Sequence, residues 1–439
     1  MLLVCKFGGS SLSCADQFKK VKNIVTSDAS RQVVVVSALG KRKPTDAKLT
    51  DLFYSAYENT SQSAYYEALW QEIVDRFVAV KEELNLAYDV AGELQKIANA
   101  LAARSLTLDY LVSRGEYLTA KLMAEYLNFE FYDARNLIIF DEFQNVNFEE
   151  SYKQIAKLPQ EKIIIPGFYG ADCNGKIKLF SRGGSDITGA IIAAGLKANK
   201  YENFTDVPGV LMADPRIIKN PLAIDELTYE EMSCIAYMGA EVLHRKSVYP
   251  VKTAGIPIHI KNTNDPDAPG TIICKTPIKK TTQLTGFFGK KDYTFLTLYK
   301  NRASTEKGLI RKVFENFEKY KVNIVQLVTG LDDIGILVSA IDVKYCLEQL
   351  INDLTTELGF EYIEIKEEFS LIAIFGRKIT NDLTFLQQVF NALKEADIQT
   401  SLIEQRPRGH LIIGVSNAQY HLAIQTLYEI LVRSDSFEV

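Results

Sequence analysis

Two paired-glycine segments carry the residue types that phosphate chemistry needs. Lys6-Phe7-Gly8-Gly9-Ser10-Ser11 follows the apolar run Leu2 to Cys5, and Ser181-Arg182-Gly183-Gly184-Ser185-Asp186 follows the apolar Ile177 to Phe180. Adjacent glycines let backbone N–H groups come close to phosphate oxygens, and a lysine beside them supplies positive charge for a transferring phosphoryl group. Arg182 offers the planar fork that takes a carboxylate through two hydrogen bonds. Either segment alone also fits an ordinary strand-to-helix turn, with Lys6 on the surface and Asp186 as a helix cap. Two of them, each after a strand and before a helical run, favour a ligand site at strand carboxyl ends.

A third segment, Phe204-Thr205-Asp206-Val207-Pro208-Gly209-Val210 through Ala213-Asp214-Pro215-Arg216, again follows a strand. It reads as a surface turn or as a loop holding a nucleotide base, with Arg216 reaching the phosphates. Ser113-Arg114-Gly115-Glu116 interrupts a helical pattern with a glycine, leaving Glu116 either a solvated helix glutamate or a receiver for an ammonium group. GxxxxGK[ST], GxGxxG, HRD/DFG and GxSxG signatures are all missing, which argues against the commoner nucleotide and hydrolase folds. His244, His259, His410 and His421 form no paired ligand pattern, and the six cysteines show no CxxC, so no metal site is expected.

These residues need strand ends to hold them. Leu3 to Phe7, a helix carrying Phe18, Val21 and Val25, and the run Val33-Val34-Val35-Val36 make a βαβ unit, and its continuous apolar strands imply a parallel sheet covered on both faces. A long helical stretch from about Ser63 to Asn128 places Leu69, Ile73, Phe77 and Val80 on one stripe. Strands return at Ile163 to Ile165, Ile177 to Phe180, Tyr201 to Phe204, Ile256 to Ile260 and Thr271 to Cys274. Ser13 with Asp16 is a candidate cap for the first helix. Near residue 290 the texture changes: Val313-Phe314, Phe317 and Val322 recur as Val389-Phe390, Leu393 and Ile398. Each copy reads strand, helix, strand, strand, helix, the order of a ferredoxin-like βαββαβ module.

The chain has 439 residues with 50 basic and 55 acidic side chains, so no bulk positive field attracts nucleic acid or a membrane surface. Lys41-Arg42-Lys43 reads as a solvated loop. The scattered cysteines fit buried thiols in a reducing compartment, no apolar run reaches the length of a membrane span, and the N-terminal run is too short for a signal peptide, so a cytoplasmic protein is expected.

KFGGSS, SRGE, SRGGSD, FTDVPGV with ADPR, GAEVLH and PGT, in that order and followed by a duplicated module, resemble the aspartate kinases of the amino-acid kinase family. The resemblance implies an α/β fold: an amino-acid-kinase-type sandwich over 1–280 with a mainly parallel sheet, then two ferredoxin-like ACT modules over 290–366 and 367–439. It implies ATP and Mg2+ as cofactors and transfer of the γ-phosphoryl group to the β-carboxylate of L-aspartate. That reaction opens lysine, threonine and methionine biosynthesis.

By the same resemblance Lys6 stabilises the moving phosphoryl group, Gly8, Gly9 and Ser10 line its path, and Asp186 organises the lysine. Arg182 and Ser185 take the aspartate carboxylate, Glu116 its ammonium, Thr50 (or Thr45) a further contact, and Thr205, Asp206 and Arg216 the nucleotide. Glu241 stands where many members have a phosphate-facing lysine, Leu211 where an aromatic often meets the nucleotide, and Gln326 where lysine-sensitive members have an aspartate. The implied partners are a lysine or threonine effector and a second copy of the chain through the ACT modules. Two other readings are a catalytically weak amino-acid sensor and a kinase for a different amino-acid carboxylate.

Overall fold

The computed structural model describes residues 1–60, 63–181, 183–240, 243, 245–276, 284–377, 379–406 and 409–433. They form two compact units, Met1–Leu211 with Ala223–Lys280, and Met212–Leu222 with Thr281–Val439. Arg182 and Glu241 lie outside the described residues.

The first unit begins with β1 (Leu3–Phe7), α1 (Ala15–Thr26) and β2 (Arg31–Val36). Four helices follow: α2 (Leu49–Glu58), α3 (Ser63–Glu83), α4 (Val90–Ala102) and α5 (Leu108–Leu127). Then come β3 (Glu130–Phe131), β4 (Ile139–Phe140), α6 (Phe148–Ile155), β5 (Ile163–Pro166), β6 (Tyr169–Asp172), β7 (Ile177–Leu179), α7 (Gly184–Gly195) and β8 (Lys200–Thr205). The unit closes with β9 (Glu226–Thr228), α8 (Tyr229–Tyr237), α9 (Arg245–Ala254), β10 (Ile258–Asn262) and β11 (Thr271–Cys274). Eight strands form one sheet in the order β3-β5-β2-β1-β8-β10-β11-β9. It is parallel as far as β10, and β11 turns back against β10.

Strand alternation splits this sheet into two faces. Cys5, Phe7, Val34, Val36, Ile164 and Phe204 join a core with α1 to α5, where Ile73, Phe77 and Val80 of the α3 stripe are buried as their spacing predicts. The opposite face meets α7, which is buried nearly all round and is covered in turn by α6 and α9. An apolar helix with no polar face belongs in such a middle layer. Because β2 and β8 flank β1 on opposite sides, the carboxyl end of β1 is the switch point at which open α/β sheets bind ligands.

Local expectations fail in informative places. Cys14, not Ser13, caps α1, and no side chain bonds there. Of the six cysteines only Cys5 is buried and Cys173 is exposed; burial and the neighbouring Glu202 push the Cys5 thiol well above its ordinary pKa. The loop after Lys41 is tied down: Asp46 accepts from the Arg42 backbone N–H at 2.9 Å and from its Nε at 3.0 Å. Those bonds hold the Asp46 carboxyl down at about 2, well below the usual range.

The second unit is one six-stranded antiparallel sheet with helices. It contains β12 (Leu284–Tyr299), α10 (Leu309–Lys319), β13 (Ile324–Thr329), β14 (Asp333–Ser339), α11 (Ala340–Val343), α12 (Leu347–Leu358), β15 (Tyr362–Gly376), α13 (Leu383–Glu395), β16 (Leu402–Arg406), β17 (His410–Ser416) and α14 (Tyr420–Tyr428). The order β13-β14-β12-β15-β17-β16 contains both repeats. Val313, Phe317 and Val322 are buried, as are Val389, Leu393 and Ile398 at the repeated positions, whereas the repeated Phe314 faces outward.

The modules interleave. Tyr293–Tyr299 of β12 pairs with β14 on one side and with Tyr362–Phe369 of β15 on the other. Leu284–Lys290, the first half of β12, pairs instead with Leu371–Gly376 of β15, which continues into β17. The second copy therefore takes its closing strand from the chain segment before the first copy, an exchange that a linear repeat does not reveal.

Candidate active site

The lysine of the first glycine segment is buried, not a surface residue. Lys6 is 7% exposed, and its Nζ lies 2.6 Å from Asp186 Oδ1. It is the last residue before Phe7 closes β1, and its side chain points to the α7 face while Phe7 stacks on Phe204 with ring centroids 4.8 Å apart on the other. The chain then turns through Gly8, whose N–H donates to the Phe204 carbonyl at 3.1 Å, into the short helix Gly9–Leu12. Ser11 and Thr263 share a buried hydroxyl contact of 2.6 Å that ties this turn to the loop after β10.

Asp186 does not cap α7. Gly183 holds the N-cap position in a left-handed conformation, φ 61°, with no side-chain cap bond. Asp186 sits in the first helical turn, where the positive end of the helix favours a carboxylate, and points at Lys6. Asn203 Nδ2 donates to the same Asp186 oxygen at 3.0 Å. Ser185 is buried, packed where a Cβ on Gly167 would come within 2.7 Å of its own, so the loop after β5 closes against the start of α7.

Glu116 is another buried ionisable group. It is 4% exposed, and its Oε2 has no hydrogen-bond partner among the described residues. Burial pushes its carboxyl up to about 8 against the lowering pull of the Ala38 backbone. Glycine does not break α5: a Cβ on Gly115 would come within 3.0 Å of Ala38 Cβ and 3.7 Å of Leu49 Cδ2, so the absent side chain lets the helix lie against the loop after β2. That loop in turn touches the first glycine turn, because a Cβ on Gly9 would lie 3.2 Å from the Ala38 carbonyl oxygen. Glu116, Ala38, Gly9 and Lys6 thus form a continuous path. Arg114 belongs to a different task, buried over the rings of Tyr110 and Tyr117 at 4.3 and 4.2 Å.

The strand ends also gather Gly8, Gly9, Ser10, Thr205 and Asp206, with Asp206 exposed. Thr50 lies in the first turn of α2, partly buried and next to Leu49, whereas Thr45 is exposed in the preceding turn. Arg216 belongs to Met212–Leu222 in the second unit and grips Asp214 through Nε at 3.0 Å and Nη2 at 2.7 Å. Sequence reasoning missed Asn203, since nothing in the local sequence marks it as the residue opposite Lys6.

Gly40 leaves no room for a side chain. A Cβ there would meet the Gly9 carbonyl oxygen at 2.2 Å and the Ser10 nitrogen at 2.7 Å, both backbone atoms that cannot swing away. Gly40→Ala is therefore expected to displace the glycine turn and lower kcat by roughly 10²-fold, since a 1 Å misplacement costs that much. Steady-state kinetics check this, and activity within threefold of the parent would count against it.

The sequence of residues 1–262 matches the model of the Amino acid kinase family. Aspartokinase 3 of Bacillus subtilis is 32% identical over 97% of this chain and 98% of its own. The chain belongs to the amino acid kinase family. The crystal structure of Clostridium acetobutylicum aspartate kinase, described as an allosteric enzyme, is 37% identical and superposes with a TM-score of 0.91 over 98% of this chain and 100% of that one. Lysine-sensitive aspartokinase 3 of Escherichia coli is 26% identical over 91% of this chain and 92% of its own. These relatives are kinases. No described helix is long and apolar enough to cross a membrane.

Proposed function

We propose that this chain is an aspartate kinase, transferring the γ-phosphoryl group of ATP to the β-carboxylate of L-aspartate to give 4-phospho-L-aspartate and ADP. The observation that carries the reading is the buried Lys6–Asp186 pair at the carboxyl end of β1, beside a glycine turn and a helix N-terminus. The catalytic region is residues 1–280, and the regulatory modules follow it.

The nucleophile is already ionised near neutral pH, so the reaction needs no general base. Catalysis rests on alignment and charge neutralisation. Lys6 faces the moving phosphoryl group and is held there by Asp186, while the amides of Gly8, Gly9 and Ser10 line the phosphate path. Thr205 and Asp206 contact the nucleotide. Glu116 receives the substrate ammonium, Thr50 adds a contact from α2, and Ser185 with Arg182 binds a carboxylate. Among the described residues no group of three carboxylate, imidazole or thiol side chains could hold a metal ion. Magnesium would arrive with the nucleotide and, when bound, would spread the negative charge of the triphosphate.

Comparing L-aspartate, L-glutamate and N-acetyl-L-glutamate as acceptors, by ADP release, tests the substrate assignment. Aspartate is expected to exceed the others at least tenfold, and a preference for either alternative overturns it. Arg182→Ala is expected to raise the KM for aspartate about 10- to 100-fold with a smaller change in kcat, as loss of a charged hydrogen-bond pair implies. An unchanged KM removes Arg182 from the substrate pocket.

For regulation we propose an amino-acid effector, lysine or threonine, in an open cleft of about 230 Å³ in the second unit. Ser304, Glu306, Gly308, Thr329 and Asp333 are among its lining residues, at the N-terminus of α10. Helix amides suit the effector carboxylate and the acidic side chains its ammonium. Gln326 is buried and hydrogen-bonds Glu404 across the two modules. A homodimer through these modules accords with the exposed Leu331, Ile341 and Tyr345.

A further inference from the structure

The Lys6–Asp186 pair is not self-supporting. Strand β8 runs parallel to β1 with Asn203 directly opposite Lys6 and Tyr201 opposite Val4. With a side-chain period of two, Asn203 and Tyr201 both project onto the α7 face, and both are buried. Each reaches Asp186. The Tyr201 hydroxyl donates to the Asp186 carbonyl at 3.2 Å, and its ring fills the space that a Cβ on Gly189 would need, 2.6 Å from the hydroxyl. The Asn203 Nδ2 donates at 3.0 Å to Oδ1, the oxygen that also takes Lys6 Nζ. Tyr201 therefore seats the first turn of α7 on the sheet, and Asn203 fixes the direction of the carboxylate that emerges from it.

We propose that Asn203 is a positioning residue for phosphoryl transfer: it sets the Asp186 rotamer and, through it, the place of the Lys6 ammonium. The proposal rests on the reading of Lys6 as the group that faces the phosphoryl. Leucine in place of Asn203 keeps the same branched outline and heavy-atom count and removes the donor. Asp186 would then keep Lys6 as partner but lose the bond that aims it, so the ammonium would spend less time where charge develops in the transition state.

The test is a double-mutant cycle on the full chain. Asn203→Leu is expected to lower kcat about tenfold, the scale of one hydrogen bond to a charged group. The KM values for aspartate and MgATP should stay within threefold. In an Asp186→Asn background the same change should cost less than twofold, because its effect runs through the carboxylate. An equal loss in both backgrounds, or no loss in the parent, overturns the proposal. A crystal structure of Asn203→Leu gives a readout that needs no turnover: Asp186 should leave its rotamer and its contact with Lys6 should lengthen. An unchanged contact overturns the positioning role even if the parent chain phosphorylates nothing, an outcome that would sink the kinase assignment separately.

Discussion

Lys6→Ala is expected to lower kcat by roughly 10²–10³-fold, the usual consequence of removing one group aimed at developing charge in a closed site. The fold should survive, because Lys6 lies at the end of β1 and outside the apolar core on the other face of the sheet. Its removal does leave Asp186 with Asn203 as its remaining side-chain partner among the described residues, so melting temperature should fall modestly. Circular dichroism and steady-state kinetics together separate the outcomes. Activity within a few fold of the parent would make Lys6 a structural ion-pair partner and nothing more.

The second large effect concerns Glu116, whose buried carboxyl has its pKa raised from 4.5 to about 8. Between those values the folded chain holds a proton that the unfolded chain has released, so this residue makes stability fall as pH rises through that window. An arriving ammonium reverses the preference, since the charged carboxylate then gains a partner. Aspartate binding near neutral pH should therefore release a proton from Glu116, and the KM for aspartate should drop as pH rises from about 6 to about 8. Glu116→Gln is expected to raise that KM about 10- to 100-fold and to flatten its pH dependence. A glutamine variant that keeps the parent pH profile would remove Glu116 from the amino-group site.

Much of this arrangement is readable from the sequence because it is local. Glycine pairs after apolar runs mark strand ends, and Val33 to Val36 or Ile163 to Ile165 can only be covered strands. The elements around Lys6, Gly8, Gly9 and Asp186 follow from such signals. What escapes is set by pairing between distant segments. Asn203 matters because β8 lies in register with β1, which no local pattern encodes. Gly115 reads as a helix break until the contact with Ala38 explains it. Asp186 resembles a cap by position, yet Gly183 takes the cap and frees the carboxylate for Lys6. The repeated modules are evident from their buried spacing, while the exchange of strands between them depends on how the two halves of β12 and β15 pair.

The most direct measurement incubates the purified chain with MgATP, L-aspartate and hydroxylamine and follows the coloured aspartyl hydroxamate, which traps the acyl phosphate as it forms. Hydroxamate is expected to depend on both ATP and aspartate, to be lost in Lys6→Ala, and to respond to lysine or threonine. No hydroxamate at any effector concentration, from protein shown to be folded, would contradict it.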